Sequence, residues 1–338
     1  MEKKISIKDI ARIAGVSPSL VSMVLNGKAE QYRISNEVAH RVIETAKEMN
    51  YVPNQAAKNL RSGKTQLIGL IVTDISNPFY AAIARIVEDR ASELNYTVLI
   101  SSTDESMKNT ERLVDVLLNK GVEGLILVPC DGSEKLVKRL YNSNFPTVLL
   151  DRHFPNIDLS SSSLNNHKAT TLATEHLISQ GFKNIATIAY NTEMHHILDR
   201  ISGYENTMNR SGLSDNIHIR KVDILNPRPG IREALEELID DVQIDSVIFL
   251  TNMLATNGLY CLNEMHVKIP DDIAVIGFNG SDAFNLFYSP VTYVKQPIDQ
   301  IAKASIDILV KRIKKSTYKL KLFLEPELVV QQSSLKHV

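Results

Sequence analysis

Polar side chains with binding chemistry stand shortly after several apolar runs of the chain. They are Asp74, Asp151, Arg152, Asn252 and Asn279. Carboxylates and amide oxygens accept hydrogen bonds, and a guanidinium offers five donors in a rigid fork, so the set suits a ligand rich in hydroxyl or carboxylate groups. Arg200 follows another apolar run at a greater distance and adds a second fork. These residues indicate binding of a small polar molecule.

Chemistry beyond binding has little support in the sequence. His195 and His196 are adjacent, and neighbours on a helix point about 100° apart. Because spacing supplies no third ligand, we expect solvated or ligand-facing histidines rather than a metal site. Gly63-Lys64-Thr65 resembles the end of a phosphate-binding loop, but Lys58 stands where that motif needs Gly. No nucleophile–base pair stands out either, so we expect no metal, no cofactor and no enzymatic activity.

Charge is distributed unevenly along the chain. Residues 1–64 hold eleven Lys and Arg against six Asp and Glu, a net of +5, and the remainder holds 27 against 33, a net of −6. A basic head on an acidic body is expected when only the head meets phosphates. Cys130 and Cys261 are too few for a disulfide framework and predict reduced thiols. With no signal peptide, and no apolar run near the roughly 18 residues of a membrane span, we expect a cytoplasmic protein.

The basic head begins with two short helices joined by a tight turn. Ser6 is the predicted N-cap of the first helix, with Asp9 at its third position, and Gly15 can end it in a left-handed conformation. Ser17 caps the second helix, and Pro18 takes the first position, where its missing N–H costs nothing. This arrangement predicts a helix-turn-helix, completed by a third helix from about residue 35. The alternative is a helical hairpin of the kind found in any small bundle.

The order of these signals resembles the DNA-binding head of the LacI/GalR family of repressors. The segment SIKDIARIAGVSPSLVSMVLNG at 6–27 carries the resemblance, which continues through NYVPNQAAKNL at 50–60. By this resemblance the second helix enters the major groove, and a hinge helix at 53–62 pushes Leu60 between base pairs of the minor groove. The implied DNA-binding residues are Ser17, Pro18, Ser19, Ser22, Met23, Asn26, Asn54, Ala57, Lys58 and Leu60. A flexible basic linker is the alternative for the hinge segment.

Two departures from the family pattern concern the contacts with DNA. Relatives usually carry Arg where this chain has Met23, so the bidentate contact of Arg with guanine is absent. The stretch at 28–33, between the second and third helices, also looks longer than usual. The base sequence of the operator therefore cannot be carried over from relatives.

Beyond residue 66, short apolar runs alternate with amphipathic helical stretches. The predicted strands are 67–72, 96–100, 124–128, 147–150, 185–188, 246–250 and 273–277. Such alternation predicts an α/β fold with doubly wound parallel sheets covered by helices on both faces. Because the pattern restarts at 185, we expect two subdomains that resemble a periplasmic sugar-binding protein, with the ligand at the carboxyl ends of the strands.

The predicted organisation has three parts. Residues 1–52 form the helix-turn-helix domain, 53–66 the hinge helix and linker, and 67–338 the ligand-sensing domain. Two subdomains divide the last part. The expected ranges are about 67–164 with 296–321 for the first, and about 165–295 with 322–334 for the second.

The resemblance also implies which residues touch the ligand. Phe79 would stack on it, and Arg200 would hold its hydroxyls or carboxylate. The implied set is Phe79, Asp151, Arg152, His196, Arg200, Asn252 and Asn279. Structural alternatives exist: Asp74 could cap a helix, Arg152 could pair with a carboxylate, and the Asn side chains could satisfy loop backbone.

Met253 and Asn279 depart from the family pattern, since many relatives have Asp at both positions. Without those carboxylates the cleft loses two strong acceptors for sugar hydroxyls. A less anionic cleft tolerates a carboxylated or phosphorylated ligand better, and a neutral sugar is the alternative.

Together these features predict a ligand-responsive, sequence-specific DNA-binding regulator that represses carbohydrate-utilisation genes. We expect a homodimer, because two-fold proteins read near-palindromic sites and residues 335–338 bring no leucine heptads for a tetramer. The alternatives are a binding protein that feeds a transporter and an enzyme such as a sugar kinase or isomerase. The head opposes the first of these, and the missing catalytic residues oppose the second.

Overall fold

The computed structural model describes residues 5–51 and 64–336. The expected hinge helix, with Asn54, Ala57, Lys58 and Leu60, lies outside the described residues. The chain divides into two compact units between Lys64 and Thr65. No helix of the described ranges is long and apolar enough to cross a membrane.

The first unit contains three helices, α1 (Ile7–Ala14), α2 (Pro18–Leu25) and α3 (Asn36–Glu48). Their ends follow the capping signals of the sequence. Ser6 and Asp9 exchange side-chain and backbone hydrogen bonds at the start of α1, and Gly15 ends it with a φ of 67°. The Ser17 hydroxyl accepts the backbone N–H of Leu20 at 3.2 Å and so caps α2. The predicted helix-turn-helix is confirmed.

One apolar cluster holds these three helices together. Ile10 of α1, Val21 of α2 and Val42 of α3 are fully buried within it. Because α2 turns Val21 and Val24 inward, its first turn, with Pro18 and Ser19, remains exposed. The packing of the unit therefore presents the start of α2 to solvent.

The second unit contains two six-stranded sheets with helices between the strands. The strands of the first sheet are β1 (Leu67–Val72), β2 (Thr97–Ser102), β3 (Gly124–Leu127), β4 (Thr147–Leu150), β5 (Ser160–Leu164) and β11 (Lys321–Leu324). The strands of the second are β6 (Ile185–Tyr190), β7 (His218–Val222), β8 (Ser246–Phe249), β9 (Ala274–Phe278), β10 (Thr292–Lys295) and β12 (Glu327–Val329). Their spatial orders are β11-β5-β4-β3-β1-β2 and β12-β10-β9-β8-β6-β7.

Eight helices of eight or more residues and one short helix connect the strands of this unit in the described chain. They are α4 (Pro78–Glu93), α5 (Met107–Asn119), α6 (Glu134–Asn142), α7 (Asn166–Ser179), α8 (His195–Arg210), α9 (Pro227–Asp240), α10 (Asn252–Glu264), α11 (Asp282–Leu286) and α12 (Ile298–Lys314), with 3₁₀ turns at Ser214–Asn216 and Gln332–Ser334. Of these, α11 is the short one. Each sheet carries a buried apolar cluster on both faces, as the expected doubly wound fold requires. The predicted fold class is confirmed.

All strand pairs are parallel except β10 with β12. Strand β5 was not expected, because its sequence Ser-Ser-Ser-Ser-Leu is typical of a loop. All five residues are nevertheless buried between β4 and β11. The Ser162 hydroxyl donates to the carbonyl of Ile301 at 3.1 Å, which offsets part of the cost of burying it.

The chain passes between the two sheets three times within 64–336. The crossings lie between β5 and β6, between β10 and β11, and between β11 and β12. Strand β11 pairs with β5 through Leu324, and the expected boundary at about residue 321 stays a prediction. Three chain crossings therefore connect the two sheets.

Candidate functional site

Loops at the carboxyl ends of both sheets enclose a cavity of about 360 Å³. The cavity brings together all seven side chains singled out as ligand contacts. They are Phe79, Asp151, Arg152, His196, Arg200, Asn252 and Asn279. These residues are spread over 200 positions of sequence, and only the meeting of the two sheets makes them neighbours. Their contact with a ligand stays a prediction.

Arg200 lies in the second turn of α8 and is only 3% exposed. Its Nε donates to Oδ1 of Asn166 at 2.8 Å, and its Nη1 donates to the carbonyl of Leu250 at 2.5 Å. The guanidinium carbon lies 4.2 Å from the centre of the Phe278 ring. Burial lowers the pKa of Arg200 to about 10, against the opposing effect of Asp151. The side chain is therefore a positioned, still protonated cation at neutral pH.

Asp151 and Arg152 begin the loop after β4 on the opposite side of the cavity. Arg152 forms a bidentate ion pair with Glu105, at 2.7 and 2.9 Å. This agrees with the structural alternative, in which Arg152 pairs with a carboxylate. The buried carboxylate of Asp151 accepts the hydroxyl of Tyr80 at 3.0 Å. Burial raises the pKa of Asp151, although Arg152 and Arg200 oppose the shift.

His196 is buried at the start of α8 and contributes an unused polar atom. Its Nδ1 has no hydrogen-bond partner among the described residues. Burial, together with the positive charges of Arg152 and Arg200, holds the pKa of His196 well below its usual range. The imidazole is therefore neutral at pH 7. No group of His, Cys, Asp and Glu residues in the described part of the chain is placed to hold a metal ion.

Phe79 and the two Asn residues complete the predicted set. The Phe79 ring meets Tyr80 edge-on, with centroids 5.0 Å apart. Asn252 donates from Nδ2 to the carbonyl of Asn279 at 2.8 Å, so it satisfies loop backbone as the alternative proposed. Oδ1 of Asn279 is buried without a hydrogen-bond partner in the part of the chain that the structure describes, and the residue adopts a left-handed φ of 58°.

Several other polar residues of the cavity were not singled out from the sequence, and five of them matter for its chemistry. They are Tyr80, Glu105, Asp131, Thr192 and Gln296. Glu105, Asp131 and Thr192 follow β2, β3 and β6, so applying the strand-end rule to every strand would have found them. Gln296 follows β10, a strand that the sequence did not predict. Its Oε1 is buried without a partner among the described residues.

Asp131 and Thr192 connect the two sides of the cleft directly. The Thr192 hydroxyl donates to Oδ2 of Asp131 at 2.5 Å. Asp131 follows β3 of the first sheet, whereas Thr192 follows β6 of the second. This hydrogen bond therefore joins the two subdomains across the cleft and favours its closed form.

The first unit places its predicted DNA contacts along one helix. Ser17, Pro18, Ser19 and Asn26 are exposed, and Ser22 and Met23 are half-buried. Nδ2 of Asn26 donates to the carbonyl of Ser22 at 2.6 Å, which holds the end of α2. The exposed first turn of α2 carries hydroxyl groups and no acidic residue, which suits approach to phosphates and base edges.

Comparison with known proteins decides the family. Residues 6–54 match the family described as bacterial regulatory proteins, lacI family, and residues 174–334 match the periplasmic binding protein-like domain. The ribose operon repressor of Halalkalibacterium halodurans is 32% identical over 333 residues, which cover 97% of each chain. The chain belongs to the LacI family. It is a ligand-responsive, sequence-specific DNA-binding transcription regulator and not an enzyme.

Solved structures of this fold cover nearly the whole regulator. A lac repressor dimer bound to operator and the anti-inducer ONPF matches with a TM-score of 0.87 at 22% identity, covering 99% of this chain and all of the other. The regulator CelR in complex with cellobiose matches with a TM-score of 0.71 at 26% identity, covering 98% of this chain and all of the other. The LacI-family fold thus extends from the helix-turn-helix through both sheets.

Proposed function

We propose that this LacI-family regulator represses carbohydrate-utilisation genes and that its effector binds in the cavity between the two sheets. The observation that carries the proposal is the meeting of Arg200, His196 and Asn279 in one enclosed space. A volume of about 360 Å³ lies at the small end of ligand pockets, which span roughly 300–1,000 Å³. The effector is therefore a monosaccharide-sized molecule.

Named relatives support a carbohydrate effector. One relative is a ribose operon repressor, and one structural neighbour is a complex with cellobiose. The cavity offers amide, hydroxyl, guanidinium and carboxylate groups, which are the partners that sugar hydroxyls need.

For DNA binding we propose three parts of the chain with separate roles. Residues 1–52 read the major groove through the first turn of α2, 53–66 form the hinge, and 67–338 sense the effector. Phosphate contacts from Ser17, Ser19 and Ser22 would set the register, and the side chain of Met23 is suited to contact a thymine methyl group. Asn54, Ala57, Lys58 and Leu60 would contact the minor groove, with Leu60 as the wedge. The regulator would act in the cytoplasm, where operator DNA lies.

Effector binding and DNA binding would be coupled through relative movement of the two sheets, which three chain crossings connect. A ligand that contacts both sides of the cleft favours its closed form by the difference in binding free energy between the two forms. A lac repressor dimer occupies its operator in a related structure. We propose that this chain also binds operator as a homodimer and that cleft closure changes its affinity for DNA.

The experiment that tests this proposal uses Arg200→Ala. Duplex DNA selected from a random pool serves as operator, and fluorescence anisotropy at two salt concentrations measures binding, which should weaken steeply with salt. A thermal-shift screen over monosaccharides, disaccharides, uronic acids and sugar phosphates identifies compounds that bind the native state. We expect Arg200→Ala to retain operator affinity and to lose on the order of 2–4 kcal/mol of affinity for the active compound.

The matched control is Arg210→Ala, on the same helix but outside the cavity, where the side chain is 63% exposed. It should respond to the active compound as the parent does. Arg200→Ala protein that stays folded but loses operator binding, or that responds normally, would show that Arg200 is structural and that the effector binds elsewhere.

A further inference from the structure

A run of lysines lies at the end of the last long helix of the sensing unit and just beyond it. Residues 311–321 contain six basic residues and no acidic one, although the unit as a whole carries a net charge of −6. The five lysines of this run are exposed, and we call them the lysine cluster. They are Lys311 and Lys314 in the last turn of α12, Lys315 at its C-cap, Lys319 in the following loop and Lys321 at the start of β11.

Few carboxylates balance the lysine cluster. Asp158 pairs with Lys319 at 2.6 Å and lies 3.9 Å from Lys321, so one carboxylate serves two lysines. The other three lysines take part in none of the ion pairs found between described residues. Because like charges that lie close together repel, the cluster costs the free protein stability, and a bound anion would offset that cost.

The helix dipole explains only part of this arrangement. Basic residues at the C-terminus of a helix interact favourably with its dipole, but the effect falls off within the last turn. It therefore accounts for Lys311 and Lys314 in α12. Lys319 and Lys321 lie beyond the helix and need another reason.

The lysine cluster lies at the amino edge of the first sheet. Gly124, the first residue of β3, packs against Ile313 in the last turn of α12. Arg312 of the same turn is buried and donates to Oδ1 of Asn144, which precedes β4. Because the strands of this sheet are all parallel, their first residues, including Lys321 of β11, share one edge.

The chain from the helix-turn-helix domain enters the sensing unit at the same edge. The hydroxyl of Thr65 donates to the carbonyl of Gly121 at 2.6 Å, and the backbone N–H of Gln66 donates to Oε1 of Glu123 at 2.8 Å. Gly121 and Glu123 lie just before β3. Neighbouring strands lie about 4.8 Å apart, so the four steps from β1 to β11 span roughly 20 Å. The lysines therefore lie near the point where the DNA-binding domain is attached.

We infer that the lysine cluster is a second DNA-contact surface, which binds phosphates of the duplex beside the operator. Duplex DNA carries one negative charge per about 1.7 Å of its axis and attracts lysines without regard to base sequence. DNA bound by the helix-turn-helix domain is tethered to this edge through the short segment 52–63, and a short tether raises the effective concentration of the second partner. The tether favours DNA over other polyanions. The inference uses the DNA-binding function of the family and is independent of the identity of the effector.

The test measures binding of the full-length regulator to duplexes of two lengths. Both contain the selected operator, and the longer one extends it by about two helical turns on each side, roughly 20 base pairs. Fluorescence anisotropy over a series of salt concentrations gives the association constant and the slope of its logarithm against the logarithm of the salt concentration. We expect the longer duplex to bind roughly 3- to 10-fold more tightly and with a steeper slope, since each phosphate contact adds about 0.9 to its magnitude.

Variants connect this dependence on length to the lysine cluster. Lys314→Gln combined with Lys315→Gln should remove most of the advantage of the longer duplex, while affinity for the short duplex stays as in the parent. Lys314→Arg combined with Lys315→Arg keeps both charges and should keep the advantage.

The matched control is Lys108→Gln combined with Lys168→Gln. These exposed lysines lie at the starts of α5 and α7, which follow β2 and β5 and so begin at the opposite edge of the first sheet. The control changes the net charge by the same amount as the Gln variant of the cluster. It should bind both duplexes as the parent does.

Three results would overturn the inference. The first is equal affinity of the parent for the two duplexes, or an unchanged dependence on length in the Gln variant of the cluster. The second is an equal loss in the control, which would show that net charge and not position determines the affinity. The third is binding of the parent, but not of the Gln variant, to vesicles that contain phosphatidylserine while duplex length has no effect, which would make a membrane surface the partner. Binding of the short duplex and of the effector tests the proposed function separately in each case.

Discussion

His196, Asn279 and Gln296 share a feature that proteins usually avoid, because each has a buried polar side-chain atom without a hydrogen-bond partner in the described chain. Such groups cost free energy and call for a specific reason. All three line the same cavity. The simplest physical reason is that a ligand completes their hydrogen bonds and so offsets this cost when it binds.

Histidine burial gives the fold a dependence on pH. Burial lowers the pKa of His153, His176, His196 and His218, most strongly for His196. The unfolded chain then binds more protons than the native one below the ordinary histidine pKa of about 6.5. The stabilising effect of keeping these rings neutral is complete above that pH and is lost as pH falls. Urea denaturation should therefore give a lower free energy of unfolding at pH 5.5 than at pH 7.5.

A variant isolates the share of His196 in this loss. Each unit by which a native pKa is depressed corresponds to about 1.4 kcal/mol, so His196→Gln should flatten the profile measurably. Burial raises the pKa of Asp151, which acts in the opposite sense, but Asp151 is present in both proteins. His266→Asn removes an exposed ring and should keep the parent profile. A His196→Gln profile as steep as that of the parent would contradict the prediction.

At the scale of elements, local signals predicted helix ends and central strands well. Ser6, Asp9 and Gly15 fix α1 through hydrogen bonds and a backbone conformation that depend on neighbours in sequence, so the sequence alone reveals them. The strands β1 and β4 are mostly apolar because both faces of the sheet are covered, and their predicted bounds are correct.

The unpredicted strands depend on distant partners. Strand β5 consists mainly of serines and becomes a strand because β4 and β11 pair with it from both sides. At the edge of the second sheet, β7 has a mixed, partly exposed sequence. For the same reason, hydrogen bonds such as that between Thr192 and Asp131 could not be predicted, since they depend on how closely the two sheets approach.

That hydrogen bond leads to a prediction about cleft closure. Thr192→Val removes the hydroxyl that donates to Asp131 and leaves a side chain of similar size. A hydrogen bond to a charged group contributes roughly 1.5–3 kcal/mol. Its loss should populate the open cleft, weaken effector binding by a corresponding factor and increase the radius of gyration of the free protein in small-angle scattering.

Thr317→Val is the matched control, because Thr317 is exposed in the loop between α12 and β11. It should leave both the scattering curve and the effector affinity as they are in the parent. An unchanged radius of gyration and effector affinity in Thr192→Val would show that the hydrogen bond to Asp131 does not control closure of the cleft.

At the scale of the whole molecule, the two units differ in net charge as their proposed functions require. The 64 residues that contain the helix-turn-helix carry a net +5, and the sensing unit carries −6. Long-range attraction therefore concentrates DNA at the basic unit and disfavours unspecific contact of the acidic one. Salt weakens this attraction, so specificity has to come from base contacts and from the number of heads bound at once.

One α2 helix offers too few base contacts for a specific site, and we predict that two copies of the chain bind together. Leu286 of α11 is 83% exposed and Tyr288 is 60% exposed, and we predict that the partner copy covers this face. Light scattering at micromolar concentration should give the mass of a dimer, and Leu286→Asp should shift the protein towards monomer and weaken operator binding. Val116→Asp makes the same change at another exposed apolar site, on α5, and should leave the dimer intact. A tetrameric mass, or a monomer that binds operator with full affinity, would contradict this assignment.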